Sequence, residues 1–333
     1  FAYASFDGHY GRQTTHREWA VVTVNVVPDG VMPYGIQLPV QAKSVRTAMA
    51  WEREPGVGPA ELVRAAKACD DAGFFYVAVC DHVQVPPAAA NEGGMSNTWY
   101  DPVSTLSYLA AVTIQTRLMT NVYVAAYRSP IQTAKHFATL DALSGGRVIL
   151  GVGAGHLAPE FEALGVPFDT RGKALDAAID GVIDAWSASD PQQPAPVQQP
   201  RPPVWIGGSG APALRRVAER GDGWIPQGTP RKQMAESIAA IRVHRDKMRP
   251  DARLDIGYIH EYVYVGDAGW DFDGEYTVAG SDQRIVDKCN EMGAIGVNHL
   301  QVRLRARDIG EFCDQAAAFG ERIGPHLVSG GAL

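Results

Sequence analysis

Short apolar runs alternate with longer amphipathic segments along most of the chain. The run at 74–80, FFYVAVC, is apolar at every position, which is typical of a strand buried on both faces of a parallel sheet. The segment Pro59–Ala72 has its apolar residues at helical spacing, and Gly73 follows it as a helix stop. Each apolar run is therefore predicted to be a strand, and each amphipathic segment a helix.

The same alternation predicts eight strand–helix units between residues 33 and 326. The predicted strands are Tyr34–Leu38, Phe74–Cys80, Leu118–Val124, Arg147–Val152, Val204–Ile206, Gly223–Ile225, Ile256–Val265 and Val297–Val302. The predicted helices are Pro59–Ala72, Pro102–Gln115, Pro130–Leu143, Thr170–Ser187, Ala211–Arg220, Arg231–Met248, Ser281–Met292 and Ala306–Ile323. Alternation of this kind predicts a parallel sheet, and eight units in one domain indicate a closed (β/α)8 barrel, the TIM barrel of the α/β class.

An open, doubly wound sheet is the alternative architecture. It would be expected to have GxGxxG after its first strand, but Pro39, Val40 and Gln41 follow Leu38 and cannot form that turn. We therefore predict one catalytic barrel over residues 32–328, with insertion segments. The proline- and glutamine-rich stretch 188–203 is predicted to be a stiff surface connection.

The first 31 residues do not follow the rhythm of strands and helices. The stretch 21–27, VVTVNVV, could form a strand, but the segment that begins at Met32 looks like the start of the barrel. We expect residues 1–31 to be an extension that contributes little to the core.

Composition narrows the classes of function. The formal net charge is −7, which argues against a nucleic-acid surface. The four cysteines show no CxxC or Cys/His ligand spacing, so we expect no metal site and reduced thiols in a cytoplasmic protein. No apolar stretch approaches the roughly 20 residues that span a bilayer, and we see no secretory signal.

Candidate chemistry lies in the loops that follow the strands, where barrels of this kind place their active sites. Asp81 and His82 follow the second strand and could anchor a polar edge of a cofactor and move protons. Alternatively, Asp81 caps the next segment and His82 packs against it. The long connection from there to Asp101 is a candidate lid, and Arg128 is predicted to be a solvated residue at a helix start.

Two glycine-rich loops are candidates for contact with a ligand. The motif at 151–156, GVGAGH, lets the backbone approach a flat ligand and turns His156 towards it, or is simply a tight turn. Gly207-Gly208-Ser209-Gly210 precedes a helix, where free amides and the helix dipole favour a phosphate. The alternative for this loop is a plain connection in which Ser209 caps the helix.

Several segments together carry a resemblance to a known family. They are YGIQLP at 34–39, AAKACDDAGFFYVAVCDHV at 65–83, YDPVSTLSYLAAVT at 100–113, TNVYVAAYRSPIQTAKHFATLDALSGGRVILGVGAGHLAPEFEALGVPF at 120–168, PPVWIGGSG at 202–210 and GDGWIP at 221–226. The chain resembles the luciferase-like oxidoreductases, and more closely their deazaflavin branch, which uses coenzyme F420. After about residue 230 the match is one of pattern only.

The resemblance implies a cofactor ring at the mouth of the barrel. Asp81 and His82 would face the ring or the substrate, and a cis peptide between Asn121 and Val122 would form a bulge behind the ring. Gly155 and His156 would lie beside the reacting centre. The cofactor phosphate would be bound by Gly207, Gly208, Ser209 and Gly210. Many relatives have tryptophan where this chain has His156, and the sugar-phosphate dehydrogenase branch has glutamate there. This departure argues against glucose 6-phosphate as the substrate.

The function implied is hydride transfer between the deazaflavin and a small organic substrate, with His82 or His156 as the acid or base. An FMN-dependent monooxygenase that uses oxygen is one alternative, and a cofactor carrier without turnover is another. A metal-dependent hydrolase is disfavoured because no HxH follows the first strand. The resemblance also implies a homodimer. Arg231, Lys232, Arg303 and Arg305 either lie near the mouth, where they could select an anionic substrate, or are solvated.

Overall fold

Short parallel strands with mostly buried side chains form the centre of the molecule. A computed structural model describes residues 24–43, 49–86, 95–188, 192–250, 252–272 and 276–330. Its strands are β1 (Tyr34–Gln37), β2 (Tyr76–Val79), β3 (Arg117–Thr120), β4 (Tyr123–Val124), β5 (Val148–Gly153), β6 (Val204–Gly207), β7 (Gly223–Ile225), β8 (Asp255–Val265), β9 (Thr277–Gly280) and β10 (His299–Leu304).

The strands close into a ring. They pair in parallel in the order β10, β1, β2, β3, β5, β6, β7, β8, and β8 pairs with β10. β4 continues the path of β3 and also pairs with β5, so β3 and β4 together occupy one position and the ring has eight strand positions. This closed parallel ring confirms the predicted (β/α)8 barrel and rules out the open sheet.

Helices follow the strands and cover the outside of the barrel. They are α1 (Pro59–Asp71), α2 (Pro102–Ala110), α3 (Pro130–Ser144), α4 (Ala158–Ala163), α5 (Arg171–Trp186), α6 (Ala211–Arg220), α7 (Met234–Met248), α8 (Asp282–Gly293) and α9 (Ile309–Ala318). The large apolar cluster lies between them and the strands, and includes Leu62 of α1 and Phe137 of α3. A smaller cluster fills the lower interior of the barrel around Tyr76, Met119 and Trp205.

Four elements differ from the pattern predicted from sequence. The single strand expected at Leu118–Val124 is broken after Thr120, because a cis peptide joins Asn121 to Val122. α4 and β9 were not predicted, since both are too short for periodicity to mark them. The last predicted helix ends its regular α-helical part at Ala318 and continues as a π-helical turn, Phe319–Ile323.

The segment before β1 packs against the end of the barrel where the strands begin. Val24 and Val27 are buried, and the amides of Val24 and Val26 donate to the carboxylates of Asp222 and Asp255. Residues 24–31 form no strand, and residues 1–23 lie outside the described residues. The expectation that residues 1–31 add little to the core therefore stays a prediction for 1–23, while Val24 and Val27 belong to the packed structure.

Candidate active site

A cavity of about 770 Å³ opens at the end of the barrel where the strands finish. It is lined by the ends of β1, β2, β5 and β6 and by the loops after them. Both loops rich in glycine and both histidines predicted from sequence lie in its wall. A cavity of this size at this end of a barrel is the expected place for a small-molecule site.

The floor of the cavity is formed by Val122, whose peptide bond with Asn121 is cis, as the resemblance implied. Its side chain lies between two glycines. A Cβ on Gly153 would come within 2.4 Å of Val122 Cγ2, and a Cβ on Gly207 within 2.5 Å of Val122 Cγ1. These two glycines are therefore required by the position of Val122, which gives the GxGxG motif a steric reason.

A chain of amides lies beside Val122. The side chain of Asn121 is buried; its Nδ2 donates to Gln301 Oε1 of β10 at 2.7 Å, and its Oδ1 accepts from Gln227 Nε2 at 2.7 Å. Both glutamines come from strands or loops distant in sequence. The bonds fix the orientation of the amide of Asn121 at the cavity floor.

Asp81 lies in the cavity wall but is engaged by the protein itself. Its side chain is buried, and its carboxylate accepts two hydrogen bonds from Arg128, at 2.5 and 3.0 Å, and one from the amide of Val124 at 2.9 Å. The Arg128 guanidinium also lies over the Tyr123 ring, 4.4 Å from its centroid. The prediction that Arg128 is solvated is therefore wrong: it neutralises Asp81 and ties β2 to the loop after β4.

His82 is held by a buried carboxylate that the sequence did not reveal. Its Nδ1 lies 2.8 Å from Oε2 of Glu160 on α4. The second carboxylate oxygen of Glu160 accepts the amides of Val83 and Gln84, at 2.6 and 3.0 Å. Glu160 is only 1% exposed. The one sequence feature that marks Glu160 is its place in the first turn of a helix directly after the GxGxG loop.

The surroundings of Glu160 keep its carboxylate charged. Burial alone would raise its pKa, but the hydrogen bond from His82, the charge of His82 and the amides of Gln84 and Val83 outweigh it, so the pKa lies below its usual value. An ionised acceptor at Nδ1 favours the tautomer with the proton on that nitrogen. Nε2 of His82 is then the ring nitrogen free to exchange a proton in the cavity.

His156 stands at the rim of the cavity, next to His82. The two rings meet edge to face, with centroids 5.6 Å apart, and Trp99 packs on the other side of His82 at 4.3 Å. His156 is exposed at its outer edge, yet burial of the rest and the neighbouring His82 lower its pKa, against the raising effect of Glu160. The neutral imidazole is therefore its main form at neutral pH.

Gly155 sets the direction in which His156 leaves the loop. Its φ is +75°, and a Cβ there would lie 2.9 Å from both Phe161 and Val124. The middle of the candidate lid after His82, residues 87–94, lies outside the described residues, while Met95 and Trp99 near its end line the cavity.

The loop Gly207–Gly210 lines the opposite wall, at the start of α6. Gly208 has a φ of +109°. The helix cap is Gly210 rather than Ser209, whose hydroxyl donates to the carbonyl of Gln227 at 2.7 Å instead. Among the described residues, no protein group accepts a hydrogen bond from the main-chain amides of Ser209, Gly210 and Ala211.

Two arginines that the sequence analysis did not single out line the wall beside this loop. Arg216 is buried and donates to Asp176 at 2.6 Å. Arg171 is partly exposed and stacks on Phe168, with its guanidinium 3.8 Å from the ring centroid. Within the described ranges, no carboxylate pairs with Arg171, so its charge is available to an anion near the helix start.

The described parts of the chain offer neither a cluster of metal ligands nor a membrane-spanning helix. They contain no group of three or more His, Cys, Asp or Glu side chains arranged to hold a metal ion. They also contain no helix with the length and apolar character needed to cross a membrane.

Comparison with known proteins adds family and fold. The profile of the luciferase-like monooxygenase family matches residues 32–269. An uncharacterized protein of Mycobacterium tuberculosis is 33% identical over 200 residues, 53% of this chain and 69% of that protein.

A relative of stated activity and a solved structure complete the comparison. The F420-dependent hydroxymycolic acid dehydrogenase of Mycobacterium tuberculosis is 30% identical over 181 residues, 50% of this chain and 48% of that enzyme. The crystal structure of the monooxygenase RslO1 from Streptomyces bottropensis superposes with a TM-score of 0.71 at 18% identity, over 89% of this chain and 99% of that one. At this identity the superposition supports the fold alone.

Proposed function

The chain belongs to the luciferase-like monooxygenase family and is an oxidoreductase, and on this premise we propose that it transfers a hydride between coenzyme F420 and a small organic substrate. The observation that carries the proposal is the His82–Glu160 pair in the wall of a cavity with one flat face and one anion-binding corner. The similarity to an F420-dependent dehydrogenase supports the choice of cofactor.

The residues of the cavity fit a flat, anionic cofactor. Val122 and the glycines beside it offer an apolar face against which a ring system can lie. The amides of Ser209, Gly210 and Ala211, at the start of a ten-residue helix, would bind the phosphate of its tail. Arg171 would add a positive charge at the same corner.

A bound deazaflavin supplies or accepts the hydride at its central ring carbon. His82 would exchange the accompanying proton with the substrate through Nε2, since Nδ1 is bound to Glu160. Glu160 acts as a positioning residue: its charge holds the ring of His82 in one orientation and one tautomer. The neutral His156, beside His82, is the second candidate acid or base.

Asp81 has a different part in this proposal from the one expected of it. Because its oxygens are occupied by Arg128 and the amide of Val124, we infer that it fixes the shape of the wall from which His82 projects. Contact of Asp81 with the cofactor or the substrate stays a prediction.

One experiment tests the cofactor directly. We expect the purified protein to bind F420 more tightly than FMN in fluorescence titrations. Gly207→Ala should weaken F420 binding because its methyl group would displace Val122. Gly58→Ala is the matched control, since a Cβ there meets only ordinary contacts. Equal binding by wild type and Gly207→Ala would contradict the proposed position of the ring.

An FMN-dependent monooxygenase is the second candidate, because the family profile that matches residues 32–269 is that of the luciferase-like monooxygenases. Tighter binding of FMN, together with oxygen consumption when reduced FMN is supplied, would establish it in place of the deazaflavin enzyme. Tight binding of F420 without hydride exchange, across substrates of the class proposed below, would instead indicate a carrier.

We also infer a homodimer in the cytoplasm. Tyr108 and Leu143 are 53% and 69% exposed, and they lie on α2 and α3, which pack against each other; all four cysteines are free thiols. Light scattering coupled to size-exclusion chromatography would test the dimer, and a monomeric mass would overturn it.

A further inference from the structure

A second, smaller cavity adjoins the first. It measures about 260 Å³ and lies between the ends of β1, β8 and β10. Gln37 and Gln227 line both cavities, so the two cavities meet at these side chains. We call this second cavity the side slot.

The side slot is lined by apolar side chains and, to a similar extent, by polar groups that include one guanidinium. The apolar residues are Ile36, Leu38, Pro39, Ala42, Met49, Ile259, Val302, Leu304 and Phe312. Arg303 is the one arginine among the described residues of the slot, and it lies over the ring of Tyr262, 3.8 Å from its centroid.

Strand alternation places Arg303 on the same face of β10 as His299 and Gln301. Side chains on a strand point alternately to its two faces. Leu300, Val302 and Leu304 belong to the cluster between the barrel and the helices. His299, Gln301 and Arg303 therefore point inward, to the lower interior, the cavity floor and the slot, and the contacts of His299 with Trp205 and of Gln301 with Asn121 agree.

The charge of Arg303 is not neutralised within the described residues. No carboxylate among them forms an ion pair with it, whereas Arg231, the other candidate that sequence placed near the mouth, pairs with Glu261 and Glu291. Arg305 stacks on the same ring of Tyr262, also at 3.8 Å, but it does not line the slot.

Glu52 is the one acidic residue that lines the slot in the described chain, and its carboxylate is bound by backbone amides. Its two carboxylate oxygens accept the amides of Val40 and Met49, at 2.8 and 2.7 Å. Burial raises the pKa of Glu52 to about 7, against the lowering effect of those two amides and of Arg53. At neutral pH a large share of Glu52 is therefore uncharged. Glu52 then competes little with a bound anion for the guanidinium of Arg303.

We propose that the side slot binds the anionic end of the substrate, and that the substrate is a small organic carboxylate with an apolar body. Arg303 is the specificity-determining residue, because a guanidinium and a carboxylate form strong, paired hydrogen bonds. The apolar side chains of the slot bury the body of the molecule, and its far end reaches the main cavity past Gln37 and Gln227. This assignment rests on the proposed function, since it places the reacting end beside His82.

The probe is hexanoate, compared with 1-hexanol, which has the same chain and no charge. Binding is measured by calorimetry on protein saturated with its cofactor, so that the amides at the start of α6 are occupied. We expect hexanoate to bind more tightly than hexanol by roughly tenfold, the effect of about one charge-assisted hydrogen bond. Arg303→Gln should abolish this preference and leave the affinity for the cofactor unchanged.

Arg307→Gln is the matched control, because Arg307 is exposed, is paired with Glu311 and does not line the slot. It should keep the preference for hexanoate. Equal binding of the two probes by wild type, or an undiminished preference in Arg303→Gln, would overturn the proposal.

Failure of the slot and failure of the proposed function give different results. If the protein binds neither F420 nor FMN, the proposed function fails, and the titration is repeated with inorganic phosphate in place of the cofactor. If a cofactor binds and Arg303→Gln behaves as wild type, the slot alone fails.

Discussion

Two buried carboxylates, at opposite ends of the barrel, are used differently. At the base, where the strands begin, Asp222 accepts the amides of Val24 and Val204 and pairs with Arg201. At the mouth, the equally buried Glu160 binds His82, whose ring lines a cavity. A buried charge satisfied entirely by the backbone and a fixed arginine stabilises the fold, whereas one bonded to a titratable ring beside a cavity can serve chemistry.

Replacement of His82 should have the largest effect, and only on activity. For His82→Gln we expect a loss of turnover of roughly 10²–10⁴-fold, the usual contribution of a general acid or base, with little change in thermal stability. Steady-state kinetics and thermal unfolding measure the two. His136→Gln, at an exposed histidine of α3, is the control; full turnover by His82→Gln, with His156→Gln also fully active, would refute the assignment of both histidines.

Removal of the buried carboxylate at the other end of the barrel, where the strands begin, should affect stability alone. Asp222→Ala leaves the buried Arg201 without its partner, so we expect the free energy of unfolding to fall by about 3–5 kcal/mol. Denaturant unfolding measures this, with Asp246→Ala, at an exposed residue of α7, as the control. If turnover per folded molecule also fell strongly, the division between base and mouth would be wrong.

His299, at the end of the barrel where the strands begin, should make the stability of the fold depend on pH. It is fully buried and stacked on Trp205, and burial lowers its pKa to about 3. Between about pH 6.5 and that value the unfolded chain binds a proton that the folded chain does not, so stability should fall with falling pH by up to about 1.4 kcal/mol per unit. His299→Met should reduce this slope, and His136→Met should leave it unchanged; identical slopes in wild type and His299→Met would show that His299 is not the group responsible.

Removal of the charge of Glu160 should reduce turnover less than replacement of His82 does. Glu160→Gln should lower turnover by roughly 10- to 100-fold, the range found when the partner that orients a functional histidine is lost, with a smaller effect on KM. The folded-state pKa of Glu160 is depressed, so its charge contributes stability above the ordinary carboxyl pKa of about 4.3, and this contribution is lost as pH falls through the lower folded value.

The control for that prediction is Glu162→Gln, an exposed residue of the same helix. Kinetics and unfolding are measured across pH for both variants. A stability difference between wild type and Glu160→Gln that does not shrink in acid would contradict the depressed pKa.

The smallest effect is expected from the deletion of residues 1–23 alone. Deletion of residues 1–23 should change the free energy of unfolding by less than about 0.5 kcal/mol. Deletion of residues 1–27 removes the buried Val24 and Val27 and should cost roughly 1.5–3 kcal/mol for each buried valine. Equal stability of the two truncated proteins would mean that the packing of this segment at the base contributes nothing.

The sequence predicted the strands, most helices and the loops of the site, because each depends on residues close together along the chain. The apolar runs of the strands and the glycine loops are local patterns of that kind. Glu160 and Arg128 were missed or misjudged because their partners are distant: His82 lies 78 residues from Glu160, and Asp81 lies 47 residues from Arg128. Ring closure decides such contacts, and no periodicity encodes them.

β10 links the two ends of the barrel in a single strand. Its inward residues reach from the stacked ring of His299, through the amide of Gln301, to the guanidinium of Arg303. A slip of this strand by one residue would reverse all three at once. The site can therefore form only when β10 has paired in its native register. A folding intermediate in which the ring of strands is still open would lack the complete active-site cavity.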